Sequence, residues 1–244
     1  MRALAATELL AIWERGLRSA RHTRALDLLE LALPEQSRDE LGRLSLGRRD
    51  AALLTLREAT FGSRLECVIL CLRCSERLEV TLDMNQLRAA EPAIVQDEAV
   101  IETAGYALTL RLPNTIDEAA ASQVEDGEQA RQVLLDRCIV RASRDGRAEP
   151  VRELSDNVIA AAMATLEEID PQADIGCAMS CMSCGYQWRA TFDIVAFFWS
   201  EIEARARRLL REVHILASAY GWREPDILDL SATRRQIYLE LVGA

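Results

Sequence analysis

An α+β fold, with two Cys-x-x-Cys hairpins framed by N-terminal and C-terminal helices, is predicted by three observations. Apolar residues recur at i, i+3 and i+4 through the first 62 residues and again from Ile194 onward, the spacing of helices with one buried face. Between these stretches the period shifts to the alternation of strands. Within that middle part, CLRCSERLEVTLD begins at Cys71 and a segment with the same skeleton, CMSCGYQWRATFD, begins at Cys181, 110 positions later.

The N-terminal helical region covers residues 1–62. Thr7 precedes LLAIWERGL, where Leu9, Leu10, Trp13 and Leu17 share a face. Thr23 is placed to cap a second helix carrying Leu26, Leu29 and Leu33 and ending at Pro34. Ser37 and Glu40 form a capping box, each side chain satisfying an amide the helix start leaves open. RRDAALLTLREATF forms the last helix here, with Gly62 as a left-handed C-cap.

Residues 63–193 make the β core, interrupted by an α/β insertion over 85–172. LECVIL and RLEVTLD read as strands flanking the first Cys-x-x-Cys. In AVIETAGYALTLRL, Tyr106, Leu108, Leu110 and Leu112 alternate and Gly105 marks a turn, a hairpin that Pro113 ends. Thr115 and Glu118 form a second capping box. Helices are predicted over 116–124, 129–141 and 156–169, the last with Ile159, Met163, Leu166 and Ile169 inward, and RASRDGRAEP is read as loop. ADIGCAMS and YQWRATFD are the strands of the second hairpin.

The C-terminal region, 194–244, is a long helix and two short ones. Ile194, Phe198, Ile202, Leu209, Val213, Leu216 and Tyr220 form its apolar stripe. Glu201 and Arg205, Glu203 and Arg207, and Arg208 and Glu212 pair at i, i+4 on the outer face. Read alone, Arg205, Arg207, Arg208 and Arg211 suggest an anionic partner, and their acidic neighbours favour a solvated face instead. The helix breaks at Gly221, and Pro225 and Ser231 start the two short helices.

Composition narrows the function. The net charge of −10 runs against nucleic acid or an anionic membrane as main partner. Every basic side chain among the 29 is arginine, which excludes Schiff-base and P-loop lysine chemistry. Glu8 and Glu14 interrupt the N-terminal apolar run, so a signal peptide is not expected, and no run reaches the eighteen or so apolar residues of a membrane span. The expectation is a soluble cytoplasmic protein with reduced cysteines.

Two Cys-x-x-Cys turns supply the four sulfurs a tetrahedral zinc prefers. Cys71, Cys74, Cys181 and Cys184 are therefore the expected ligands of one structural Zn2+ in a split zinc ribbon, whose halves are the two hairpins. The 106 residues between Cys74 and Cys181 make closure cost about 4 kcal/mol of chain entropy. Structural zinc contributes on the order of 10–16 kcal/mol in small systems, which exceeds it. A thioredoxin-like pair would open a helix, whereas both pairs here precede strands. Redox pairs and metal-free buried pairs remain as alternatives. Cys67 and Cys177, also 110 apart, are expected to be buried strand residues facing each other, and Cys138 to pack in a core. His22 and His214 adjoin no nucleophile or carboxylate in a triad-like pattern, and no catalytic constellation is visible.

In order along the chain, LLAIWERGL, LGRRDAALLTLREATFG, the first knuckle, RLPNTIDE, LLDRC, the second knuckle with WRATFDIVAFFWSEIE, and REVHILASAYGWREPDILDLSATRRQIYLELV resemble one family. It is the baseplate-associated protein family of T-even-type contractile phage tails and related bacterial injection systems. The resemblance implies a non-enzymatic structural or assembly component whose partners are other baseplate or tail proteins, carried within a tail-like particle or present in the cytoplasm. It carries over Cys71, Cys74, Cys181 and Cys184 as metal ligands and no catalytic residue. Related knuckles tend to read C-P-x-C-G; here Leu72 and Met182 stand in place of proline and Ser75 in place of the first glycine. The C-terminal helices, with Tyr220, Trp222 and Tyr238, are then a candidate docking tail, or fold back into the core. A regulatory, nucleic-acid-associated zinc ribbon and a thiol redox protein are the competing classes.

Overall fold

The computed structural model describes residues 1–89 and 97–243; residues 90–96 of the predicted insertion lie outside it. Four helices come first: α1 (Ala6–Gly16), α2 (Arg21–Ala32), α3 (Arg38–Arg43) and α4 (Leu46–Phe61). The first hairpin follows as β1 (Arg64–Leu70) and β2 (Arg77–Asp83), leading into the short α5 (Met84–Leu87). The second hairpin, β7 (Gly176–Ser180) and β8 (Gln187–Thr191), leads into α9 (Ile194–Tyr220), then α10 (Glu224–Leu228) and α11 (Ala232–Gly243). Between the hairpins stand β3 (Glu98–Thr103), β4 (Tyr106–Arg111), α6 (Thr115–Ala121), α7 (Gly127–Cys138), β5 (Ile139–Arg144), β6 (Arg147–Ala148) and α8 (Asp156–Ile169). The α+β class follows directly.

The buried residues fall into two clusters. The larger joins Leu9, Leu10 and Ile12 of α1, Leu28 and Leu29 of α2, Leu53, Leu54 and Leu56 of α4, and Phe198, Ile202 and Leu209 of α9. Leu65, Met84 and Ile175 enter it from the two hairpin units, which seats both hairpins on the helical body. The smaller cluster belongs to the insertion: Leu108 and Leu110 of β4, Ile139 and Ala142 of β5, and Val158, Ile159 and Ala162 of α8. There β3, β4, β5 and β6 form a four-stranded antiparallel sheet in chain order.

Helix starts show where tertiary contacts overrule local signals. Ser37 and Glu40 close the expected box on α3. In α2, Thr23 is not the cap: the helix opens at Arg21 behind Ala20, and Arg21 is held by ion pairs to Asp193 and Glu118. The box on α6 is shifted by one. Asn114 accepts from the amides of Ile116 and Asp117, the Asp117 carboxylate accepts the Asn114 amide, and Thr115 becomes the first helical residue. Gly62 ends α4 with φ +89° but an extended ψ, not the expected left-handed helical cap. Leu17 lies just past α1 and is exposed, since Arg24 Nε takes the Gly16 carbonyl at 2.9 Å and turns the chain there.

Two readings of the insertion are corrected. The predicted helix to 141 stops at Cys138, and the predicted loop contains a hairpin. Asp145 and Gly146 both take positive φ, 51° and 76°, the two-residue Asp-Gly turn whose twist matches paired strands. Ile139 and Ala142 then reach the insertion core, which a helix continuing from α7 would have denied them. On α8, Met163 points out and Val158 and Ala162 fill its place, because one helical face cannot hold all four predicted positions and Val158 as well.

On α9 the apolar stripe is wider than expected, adding Val195, Trp199 and Ala206. Glu203 and Arg207 pair on the surface as predicted. Glu201 instead pairs with the buried Arg57 of α4, and Glu212 is itself buried. Arg57 also donates to the carbonyls of Gly62 and Arg64, so one guanidinium ties α4, β1 and α9 together. Pro225 and Ser231 mark the short helices as expected, and Ile227 and Leu228 fold back into buried positions.

Gly16 lets α1 come close to α9: the Trp199 indole lies so near that an added Cβ would sit 2.1 Å from it. The Arg24 guanidinium lies over that indole, 4.3 Å from the ring centroid. Gly16→Ala is expected to lower unfolding free energy by about 1–3 kcal/mol, the range for overpacking a tight contact. Urea titration reads it directly.

Candidate metal centre

Each hairpin is built to present sulfur at its tip. β1 and β2 pair from Arg64 with Asp83 to Leu70 with Arg77, and β7 and β8 repeat this register 110 residues on, Cys67 opposite Val80 matching Cys177 opposite Ala190. The tips repeat too. Cys71 N donates to Glu76 O and Ser75 N to Cys71 O, both at 2.9 Å. Cys181 N to Tyr186 O and Gly185 N to Cys181 O have the same length. Ser75 and Gly185 occupy matching left-handed positions, φ 58° and 70°. This conformation suits glycine and is tolerated by serine only at a cost. Alignment of Ser75 with Gly185 across the repeat carries that signal in the sequence.

The repeat runs past the strands. Asp83 accepts from Asn85 N to cap α5, and Asp193 accepts from Ala196 N to cap α9. Met84 and Ile194, the first residues of those helices, are both fully buried. The Thr-x-Asp ending seen in both motifs is therefore a strand-to-helix joint that plugs each hairpin into the larger core.

The two tips meet. Cys71 Sγ lies 3.6 Å from Cys184 Sγ, and Cys74 Sγ lies 3.6 Å from Cys181 Sγ. All four sulfurs lie within 4.8 Å of one another, a group that could hold a metal ion. The first cysteine of each knuckle faces the second of the other, the reciprocal pattern of a two-fold axis. Cys71 and Cys181 are buried, Cys184 is half-buried and Cys74 is exposed, so the centre has an inner and an outer side.

Electrostatics favour a cation there. Burial pushes the Cys71 thiol up, and the Cys74 and Arg73 amides pointing at its sulfur outweigh that, holding it down to about 6. The Arg73 amide donates at 3.4 Å. At Cys74 the Glu76 amide favours the thiolate, but burial and the proton it shares with Cys184 and Cys71 push it up to about 12. Crowded sulfurs thus ionise one at a time unless a positive charge joins them.

The other predicted positions are less concentrated. Cys67 and Cys177 are half-buried rather than buried, because a two-stranded sheet covers only one of its faces. Burial raises both thiols, and the Cys177 charge adds to the rise at Cys67. Cys138, the last residue of α7, is buried, its thiol raised to about 11 by burial and then by Asp117. His22 is half-buried, with its pKa lowered by burial, and His214 is exposed. Tyr220, Trp222 and Tyr238 do come together: Tyr220 stacks on Trp222 at 4.6 Å, and Tyr238 meets Trp222 edge-on at 4.8 Å.

Fold and centre define an α+β protein in which paired hairpins hold a four-cysteine cluster. A family model described as T4 bacteriophage base plate protein matches residues 14–199, and the chain belongs to that family. The matched span contains both knuckles and stops short of the C-terminal aromatic cluster. No curated protein and no solved structure matches the chain significantly.

Backbone strain at the two tips is separable by substitution. Gly185→Ala is expected to cost about 1 kcal/mol of stability, since alanine is forced into the left-handed region. Ser75→Gly is expected to be at least as stable as the parent. Paired thermal melts check both.

Proposed function

We propose that this chain is a non-enzymatic structural or assembly component of a contractile-tail baseplate, stabilised by one structural Zn2+ in a split zinc ribbon. The reciprocal closure of two knuckles, in a chain of the T4 base plate family, carries the reading. A tetrahedral zinc with sulfurs at about 2.3 Å has sulfur–sulfur edges of about 3.8 Å. The two 3.6 Å separations fit this and are far from the roughly 2.05 Å of a disulfide.

Cys71, Cys74, Cys181 and Cys184 are the ligands in this reading. Four thiolates fill a tetrahedral shell and leave no position for substrate, so the ion acts by holding two distant segments together. The knuckle tips carry Leu72 and Met182, 74% and 92% exposed. Apolar tips on an acidic chain favour protein partners over nucleic acid. Those partners are other baseplate or tail proteins, met in the host cytoplasm during assembly or in the finished particle. Tyr220, Trp222 and Tyr238, continuous with the exposed Ile237 and Leu241 of α11, form the surface we assign to them.

Metal analysis of the purified protein beside Cys181→Ser tests the centre. One zinc per chain is expected, lost in the variant together with much of its thermal stability; metal-free protein with unchanged folding refutes the ribbon. The docking surface needs point substitutions, because truncation after Ala219 would also remove the buried Ile227, Leu228 and Arg235. Ile237→Asp combined with Leu241→Asp is expected to leave zinc content and melting unchanged and to reduce retention by neighbouring baseplate proteins. Undiminished retention removes the docking role.

A further inference from the structure

The C-terminal helices close on the body through a charged cluster that does not balance. Buried Glu212 is shared by three arginines: Arg208 Nε donates to it at 3.0 Å, Arg235 Nε at 3.1 Å and Arg205 Nη1 at 3.5 Å. Arg208 is well exposed and screened by solvent. Arg235 is only 3% exposed, and its remaining bonds go to the carbonyls of Leu228 and Leu230. Arg205 is half-buried, and the long bond to Glu212 is its one hydrogen bond among the described residues. Two poorly solvated guanidinia thus share one carboxylate, and one positive charge is left over. Burial pushes the Arg205 pKa down, and the nearby Arg208 and Arg235 charges add to this against the pull of Glu212.

Arg205 and Arg235 line an open cleft of about 550 Å³ between the N-terminus of α1, the end of α4 and the C-terminal helices. Leu4, Leu9, Phe61 and Leu228 supply apolar wall. The size is that of a small-ligand site, and a few charged donors over an apolar wall fix the orientation of an amphipathic guest.

We propose that this cleft binds a carboxylate carried on an apolar chain, its head paired with Arg205 and its chain laid along Leu4, Leu9, Phe61 and Leu228. A single surplus charge matches a monoanion rather than a dianion such as phosphate, because Arg205 and Arg235 are the only charged side chains among the described residues that line the cleft and Glu212 already balances one of them. The planar guanidinium fork matches two carboxylate oxygens. A polypeptide C-terminus behind an apolar residue and a fatty acid both present this chemistry.

Calorimetric titration of the full-length protein with octanoate and with N-acetyl-leucyl-phenylalanine, each beside its neutral amide, tests the site. At least one acid is expected to bind about tenfold or more tighter than its amide, less so as salt is added. Arg205→Gln is expected to abolish that preference with unfolding unchanged. Ala6→Glu, which sets a fixed carboxylate on the opposite wall, produces the same loss from another element should Arg205→Gln disturb folding. The tighter of the two acids identifies the source. Equal binding of acid and amide, binding by neither acid, or a preference that survives both substitutions overturns the assignment.

Discussion

The fold is arranged around the meeting of two hairpin tips that have 106 residues between them in the chain, from Cys74 to Cys181. The hairpins are small two-stranded sheets, which on their own are marginal in water. Each gains its footing from a buried residue at the start of its first strand or just before it, Leu65 or Ile175, and from one at the head of the following helix, Met84 or Ile194. Those anchors aim both tips at one point. The reciprocal sulfur contacts then join two halves that make no strand ladder with each other.

The helical body supplies the rigidity that this convergence needs. Arg57 ties α4, β1 and α9, and Arg21 joins α2 to the Asp193 joint and to Glu118 of α6. Buried and half-buried guanidinia do this work throughout a chain without lysine. A planar fork can satisfy two or three acceptors at once, whereas a buried ammonium is costlier to desolvate and less directional. The segment between the hairpins has its own core of Leu108, Leu110, Ile139 and Val158, and Glu118 and Asp170 tie it back to the helical body.

Much of this was legible in the sequence. The duplicated Cys-x-x-Cys and Thr-x-Asp segments located both hairpins and the four sulfurs, because a repeat written twice reports a geometry made twice. Long periodic helices such as α9 were equally clear. What escaped was set by partners far along the chain: the start of α2 at Arg21, the diversion of Glu201 to Arg57 and the burial of Glu212 under Arg235. Local spacing pairs Glu201 with Arg205, whereas the fold gives it Arg57; Glu212 keeps its near neighbour Arg208 and gains Arg235 as well. The β5–β6 hairpin differs, since Asp145-Gly146 is a local turn signal set in a polar stretch whose composition alone suggests loop.

The distance between the half-sites also has a temporal meaning. A ribosome adding about 5–20 residues per second needs roughly 5–20 s to travel from Cys71 to Cys181. Throughout that interval the first knuckle is made and its counterpart is not, so two of the four sulfurs wait without partners while the insertion is synthesised. An insertion with its own core is suited to that order of events: it can collapse on the nascent chain and shorten the search by which the second tip finds the first.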